Sequence, residues 1–266
     1  MIDKSYKGAV FFDIDGTLLD EKCNIYTPTE TTKNAIKKLR ENGYLTGIAT
    51  GRAKCYMDDV AIDTDCYITC NGSVAEFNND VFFNDYISRE KITEFVKFLE
   101  ANKFGYSIET RDRCYYGVST EYIMQEMLSV FNINPEAFSP YNPSDDIRAN
   151  KVMAVFEKEE QYKLLCEKYG DKFLIIRHRS YDSADVGKFG ITKASGVEAT
   201  IKKFNIPYEN TYAFGDGAND AFMLDKVKHG IAMTPHAPEL IPVAEYFTGS
   251  VADEGIYHAL KHYGLI

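Results

Sequence analysis

Gly8-Ala9-Val10-Phe11-Phe12-Asp13-Ile14-Asp15-Gly16-Thr17 is the stretch that decides the fold. Its first half is a short, unbroken apolar run, the pattern of a strand buried on both faces in a parallel sheet. As the run ends, two carboxylates follow two residues apart, and a glycine comes after them. Ligands of open α/β sheets bind at the carboxyl ends of the strands, so Asp13 and Asp15 stand where chemistry is expected. Two other readings compete: a solvated acidic turn, and the opening of a calcium-binding loop. A calcium loop needs a glutamate at its twelfth position, and counted from Asp13 that position is Asn24.

Working outward, strands and helices alternate. Thr27-Pro28-Thr29-Glu30 reads as a capping box with proline at the first helical position. The helix it opens turns Ala35, Ile36 and Leu39 inward and stops at Gly43. Tyr44 to Ala49 is a second strand, a helix is expected from Ala53, and Cys66-Tyr67-Ile68-Thr69 is a third strand. Ser73 to Phe83 reads as a hairpin around Asn78-Asn79-Asp80. The far end repeats the alternation: helix from Thr192 to Phe204, strand at Tyr212-Ala213-Phe214, helix from Asp220 to Lys226, strand from Gly230 to Met233, and a last helix from Asp253 to His262. Alternation of this kind implies a parallel sheet covered on both faces.

The middle is different. A helical stripe (Ile92, Phe95, Val96, Leu99) precedes strands at Tyr106-Ser107-Ile108 and Cys114 to Val118, and a helix from Tyr122 to Phe131. Ser139 to Asn150 has the composition of a loop. Strands at Val152 to Phe156 and Phe173 to Ile176 flank a helix from Glu160 to Tyr169. We therefore expect an α/β core from residues 1–83 and 185–266, and an inserted α+β domain over residues 84–184.

Composition narrows the function classes. The chain has 266 residues, enough for one large domain or two modest ones, and a net charge of −10. Nucleic-acid binders usually carry a basic face, so no nucleic-acid partner is expected. No run of about 18 apolar residues is present to span a membrane, and the start, Met1 to Lys7, has no apolar signal region. A cytoplasmic protein without a membrane partner is the expectation. The six cysteines are scattered, which suits a reducing compartment. Cys66 and Cys70 lack a Cys-x-x-Cys or a matching histidine pair, and His258 and His262 lack the glutamate of a zinc helix, so both pairs are read as packing or surface residues.

Two further clusters sit where the opening motif sits, at strand ends, and a third candidate is a single residue at a helix start. Gly215-Asp216-Gly217-Ala218-Asn219-Asp220 follows the Tyr212 strand. Its carboxylates, together with Asp13 and the Ile14–Asp15 segment, would suit Mg²⁺, which prefers an octahedral oxygen shell. Ala49-Thr50-Gly51-Arg52 closes the second strand, and a hydroxyl with N–H groups at a helix start binds phosphate oxygens. Lys193 opens a helix, with Lys188 as its competitor. Taken singly, the Gly/Asp run reads equally well as a polar turn with helix-cap residues, Thr50 reads more readily as an N-cap, and a lone lysine reads as solvated.

In this order the four motifs, Asp13-x-Asp15, Thr50, Lys193 and Gly215-Asp216-x-x-Asn219-Asp220, resemble those of the haloacid dehalogenase superfamily. The large insertion resembles the type IIB cap of its Cof-type phosphatases, and Asn71-Gly72 looks like a Cof-type feature. The family often has Lys-Gly at its third motif, whereas Ala194 follows Lys193 here.

The resemblance implies an α/β, Rossmann-like core with an inserted α+β cap. It also implies a Mg²⁺-dependent phosphatase acting on small phosphorylated metabolites, sugar phosphates or similar. Asp13 would be the nucleophile and Asp15 the acid/base. Asp13, Asp15 and Asp216 would hold the metal. Ile14, Thr50, Gly51, Lys193 and Asn219 would bind the phosphate, with Asp220 acting from behind them. Asn71, Arg177 and His178 are candidate substrate contacts, alongside Arg111, Arg113, Lys151 and Arg179 in the insertion. The oligomeric state is open between a monomer and a small homo-oligomer. A phosphotransferase or phosphomutase, or a non-catalytic metabolite sensor, are the alternatives on the same fold. Asp15 favours phosphoryl transfer over dehalogenation, and a pure sensor has no need of it.

Overall fold

The computed structural model describes residues 5–57, 60–130, 133–178 and 181–266. The chain begins with β1 (Gly8–Phe12), α1 (Glu30–Glu41), β2 (Tyr44–Ala49), β3 (Cys66–Thr69), β4 (Val74–Phe77) and β5 (Asp80–Asn84). It continues with α2 (Arg89–Ala101), β6 (Gly105–Glu109), β7 (Cys114–Tyr116), α3 (Glu121–Val130), β8 (Phe138–Pro140), β9 (Lys151–Val155), α4 (Glu159–Tyr169), β10 (Leu174–Arg177) and β11 (Ser183–Gly187). It ends with α5 (Lys193–Lys203), β12 (Thr211–Gly215), α6 (Ala221–Lys226), β13 (His229–Ala232), β14 (Tyr246–Phe247) and α7 (Gly255–His262). Two compact units result. One is built from Met1–Gly51, Asp58–Phe83 and Thr192–Ile266, the other from Arg52–Met57 and Asn84–Ile191.

The first unit is an eight-stranded sheet in the order β14-β13-β12-β1-β2-β3-β4-β5. Pairing is parallel from β14 through to β3, and β4 turns back antiparallel on β3. The fully buried apolar run of β1 takes the central place that its composition calls for. Phe12 lies beside Phe214 of β12 and Ile48 of β2, so three strands end level with one another. That register puts Asp13, Thr50 and the residues after Gly215 at one edge of the sheet. Helix α5 lies close on β3 because residue 196 is glycine, where a Cβ would stand 2.3 Å from Ile68 Cγ2.

The second unit is a six-stranded sheet in the order β10-β11-β9-β6-β7-β8. One face carries Tyr106, Ile108, Val152, Ala154, Ala184 and Val186, packed in one core with Phe95 and Leu99 of α2 and Leu165 of α4. The alternate positions give the opposite face its polar character: Ser107, Glu109, Lys151 and Asp185, all buried. Lys151 Nζ lies 2.6 Å from Asp185 Oδ1 and 3.3 Å from Glu109 Oε2. Ser107 and Tyr56 hydroxyls donate to Glu109 at 2.9 and 2.7 Å. Burial pushes the Glu109 carboxyl up. Burial acts the same way on Asp185, but Lys151 and His178 outweigh it and hold that carboxyl below its usual range.

Three local expectations need correction. The N-cap of α1 is Thr29 rather than Thr27: its hydroxyl accepts from Thr32 N at 3.1 Å, so Pro28 precedes the helix instead of opening it. Among the described residues, the helix expected from Ala53 is only a 3₁₀ turn, Lys54–Tyr56, whose Tyr56 side chain is held by Glu109. The inserted unit runs to Ile191 rather than 184, because β11 is paired on both sides by β9 and β10, and a border at 184 would cut it. Phe131, at the end of the expected third helix, lies outside the described residues. Among the described residues no helix is long and apolar enough to cross a membrane.

Lys151 neutralises two buried carboxylates, so removing it strands both. Lys151→Met should lower the unfolding free energy by about 3–5 kcal/mol, read as a fall in the urea midpoint.

Candidate active site

The site grows from the level ends of β1, β2 and β12. Asp13 continues β1, its N–H bonded to Phe214 O at 3.0 Å. Thr192 and Ser195 form a capping box at the start of α5, which fixes Lys193 as the helix's first residue. The Lys193 ammonium, 1% exposed, stands 2.6 Å from Asp13 Oδ1 and 2.7 Å from Asp220 Oδ1. Asp220 Oδ2 accepts the N–H groups of Asp216 and Gly217 at 3.0 and 2.9 Å. Asp220 therefore pins Lys193 with one oxygen and the turn after β12 with the other.

Asp216 accepts a hydrogen bond from Thr17 Oγ1 at 3.2 Å. The Asp13–Thr17 loop reaches it only because residue 16 is glycine: φ is +85°, and a Cβ would stand 2.2 Å from Asp216 Oδ2. Ile14 is buried and its carbonyl accepts the N–H groups of Thr17, Leu18 and Leu19, while Asp15 is exposed on the same loop. Asp13, Asp216 and Asp220 each offer an oxygen within 4.8 Å of the others.

Three carboxylates share one ammonium. Burial, and then Asp220, push the Asp13 carboxyl well above its usual range, against the pull of Lys193. Burial and Asp220 likewise push Asp216 up to about 7. Burial would lower Lys193, but Asp13 and Asp220 overcome it and hold the ammonium charged. A cluster with this surplus of hard oxygen ligands and negative charge suits a Mg²⁺-like cation. Asp13 and Asp216 are its best-placed side chains, since both Asp220 oxygens already have donors.

Thr50 is buried at the end of β2; its N–H donates to Ile68 O at 2.9 Å and Gly51 follows it. Asn71 links the remaining parts. It lies in the turn Cys70-Asn71-Gly72, where φ is 50°, 53° and 88° in succession. Its N–H donates to Thr50 O at 3.0 Å, and its Oδ1 accepts from Asn219 Nδ2 at 3.4 Å. Gly72 rests against the start of α5, where a Cβ would stand 1.9 Å from Thr192 O.

The two candidate lysines separate cleanly. Lys193 stands on Asp13, whereas Lys188 is half exposed and pairs with Asp85 in the second unit, at 2.6 Å. Arg177 is tied to Glu159 and Asp182 at 2.8 and 3.1 Å and lies over the Tyr162 ring, beside Ala184 on the apolar face of its sheet. His178 lies on the polar face, with Nδ1 2.7 Å from Ser183 Oγ and Nε2 3.4 Å from Asp185 Oδ2. Arg111 pairs with Asp112, and Arg113 donates to Ser139. Lys151 is spent on Glu109 and Asp185. Arg179 lies outside the described residues. Sequence reasoning did not single out Thr17 as a partner of Asp216, nor Glu109, Asp185 and Tyr56. Thr17 lies inside the opening motif; the other three carry no local signal.

The family model for haloacid dehalogenase-like hydrolases matches residues 10–260. The chain belongs to this family. The putative phosphatase YkrA of Bacillus subtilis is 29% identical to it over 262 residues, covering 97% of this chain and 98% of that one. The 5-amino-6-(5-phospho-D-ribitylamino)uracil phosphatase YitU of the same organism is 25% identical, covering 96% of each chain. Among solved structures, the subclass IIB sugar phosphatase BT4131 superposes with a TM-score of 0.84 at 26% identity, covering 97% of this chain and all of that one. This member of the family is a phosphoric monoester hydrolase with an α/β core and an inserted α+β unit.

The raised Asp13 carboxyl has a cost in stability. A folded acid held above its unfolded value loses stabilisation as pH rises from about 4 through the folded value. Without divalent metal, Asp13→Asn should therefore raise unfolding free energy at neutral pH by about 0.5–2 kcal/mol. The gain should shrink on acidification towards pH 4, and denaturant melts at the two pH values would show it.

Proposed function

We propose that this phosphatase hydrolyses small phosphorylated metabolites, sugar phosphates or similar, through a phosphoryl group carried transiently on Asp13. The observation that carries the reading is the buried Lys193 ammonium on Asp13 and Asp220, with Asp216 alongside. Asp13 attacks phosphorus and the bond to the leaving oxygen breaks. Asp15, exposed on the same loop, protonates that oxygen and then takes the proton of the water that hydrolyses the acyl phosphate. Lys193 holds Asp13 in place and favours its ionised form. Thr50, Gly51 and Asn219 hold the phosphoryl oxygens, and Asp220 keeps Lys193 aimed.

The charge count explains why a cation belongs here. A carboxylate facing a phosphate oxygen at 4 Å is repelled by about 4 kcal/mol per charge pair at an effective dielectric of 20. Lys193 alone does not offset that while it also serves Asp220. Asp13, Asp15 and Asp216 would hold Mg²⁺, which supplies positive charge against the phosphoryl oxygens when bound. The substrate class rests on the relatives: one is named for a phosphoribityl compound and a structural neighbour for sugar phosphates.

Asn71 acts in this reading as a positioning residue rather than a substrate contact. Its backbone serves Thr50 and its side chain serves Asn219, two of the phosphate-binding groups of this reading.

The deciding experiment is phosphate release from a panel of phosphorylated metabolites with Mg²⁺. Turnover of sugar phosphates is expected, with loss on chelation and no turnover by Asp13→Asn. Release at undiminished rate by Asp13→Asn, or without metal, would overturn the mechanism. For Asn71, the Asn71→Gly variant keeps the left-handed backbone and deletes only the amide. It should weaken competitive inhibition by inorganic phosphate about 2–10-fold, the worth of one hydrogen bond.

A further inference from the structure

We propose that Cys55 and Cys114 form a reversible disulfide that fastens the segment after Thr50–Gly51 to the sheet of the inserted unit and so slows turnover. The consequence for turnover rests on the phosphatase reading above; the thiol chemistry does not.

The two Sγ atoms lie 3.5 Å apart, although 59 residues separate them in sequence. A disulfide is about 1.5 Å shorter than this, so the sulfurs must approach by that amount to bond. The contact is part of a wider fit. Glu109, Cys114 and Phe138 stand abreast on β6, β7 and β8 in direct register. The next residue of the same segment, Tyr56, meets the other two: its hydroxyl donates to Glu109 at 2.7 Å and its ring lies 5.6 Å from that of Phe138. Two flanking contacts thus hold Cys55 over Cys114, so the sulfurs meet in a fixed place.

The pair is also unequal in a useful way. Cys55 is partly exposed and Cys114 is buried. An oxidised small-molecule disulfide such as oxidised glutathione reaches Cys55 first. The Cys55 thiolate attacks its S–S bond, forming a mixed disulfide and expelling one glutathione thiolate. Cys114 thiolate then attacks Cys55 Sγ and expels the second glutathione thiolate. Each cysteine gives up its proton and each expelled thiolate takes one up. Two protein thiols are oxidised and one oxidised glutathione is reduced to two glutathiones.

The crosslink sits close to the chemistry along the chain. Gly51 is separated from Cys55 by Arg52, Ala53 and Lys54. A covalent anchor there limits whatever movement the phosphate-binding turn makes during turnover beyond what the Tyr56 contacts already limit, and loop movements of this kind set many turnover rates.

The test treats the full chain with oxidised glutathione, then alkylates, digests and maps disulfides by mass spectrometry, with phosphate release measured in parallel. A Cys55–Cys114 linked peptide is expected, with turnover reduced about tenfold and restored by dithiothreitol. Cys55→Ser and Cys114→Ala should keep basal turnover and lose the response. Absence of the linked peptide from folded, oxidant-treated protein overturns the pairing. A linked peptide with unchanged turnover, or an equal loss in Cys55→Ser, overturns the control of activity. A chain that hydrolysed no phosphate ester would still give or withhold the linked peptide, so failure of the phosphatase reading is distinguishable.

Discussion

A single buried ammonium organises the core. Lys193 is almost fully excluded from solvent, and a lysine in that position needs opposite charge in direct contact. Asp13 and Asp220 supply it from two separate strand ends, so satisfying Lys193 also brings the first and last motifs together. The demand propagates. Helix α5 must approach the sheet closely enough to deliver Lys193, which is why residues 72 and 196 have no room for a Cβ. The turn after β12 must present Asp220 with both oxygens usable, and two backbone N–H groups fix it in that pose.

Satisfying Lys193 leaves the site short of positive charge. Asp13 is pushed well above its usual range and Asp216 up to about 7. Burial and neighbouring negative charge produce these shifts, and holding carboxylates in that state costs stability. The same imbalance favours a cation at this edge of the sheet and, by itself, repels an anionic ester. A site neutralised by a second lysine would be more stable, and it would have less electrostatic reason to accept a cation.

Much of the core was legible because its signals are local. The unbroken apolar run before Asp13, the glycine that stops α1 and the polar turn after Phe214 each declare themselves within a few residues. The four motifs were legible for the same reason, and their order along the chain carried the family resemblance. What failed was whatever depends on residues far apart. The segment after Ala53 has helical composition, yet Tyr56 is claimed by Glu109 and Cys55 by Cys114, and the helix gives way to a single turn. The border at 184 failed because strand pairing assigned β11 to the inserted sheet, and pairing is invisible in one sequence. In sequence Lys193 is preferred to Lys188 only for opening a helix; the company each keeps separates them, Lys193 on Asp13 and Lys188 on Asp85.

The polar face of the inserted sheet poses the converse problem. Glu109, Lys151 and Asp185 occupy alternate positions on three neighbouring strands, where apolar residues would build a second core. Buried charge triads of this kind are seldom a net source of stability compared with apolar residues of similar size. Their value lies in specificity of arrangement: each carboxylate accepts only where a donor is offered. Tyr56 provides one such donor, and its bond to Glu109 fixes where the segment after Gly51 runs. A leucine face would hold that segment by area alone, in many registers. A face whose Glu109 carboxylate accepts the Tyr56 hydroxyl holds it in one, and that register sets Cys55 over Cys114.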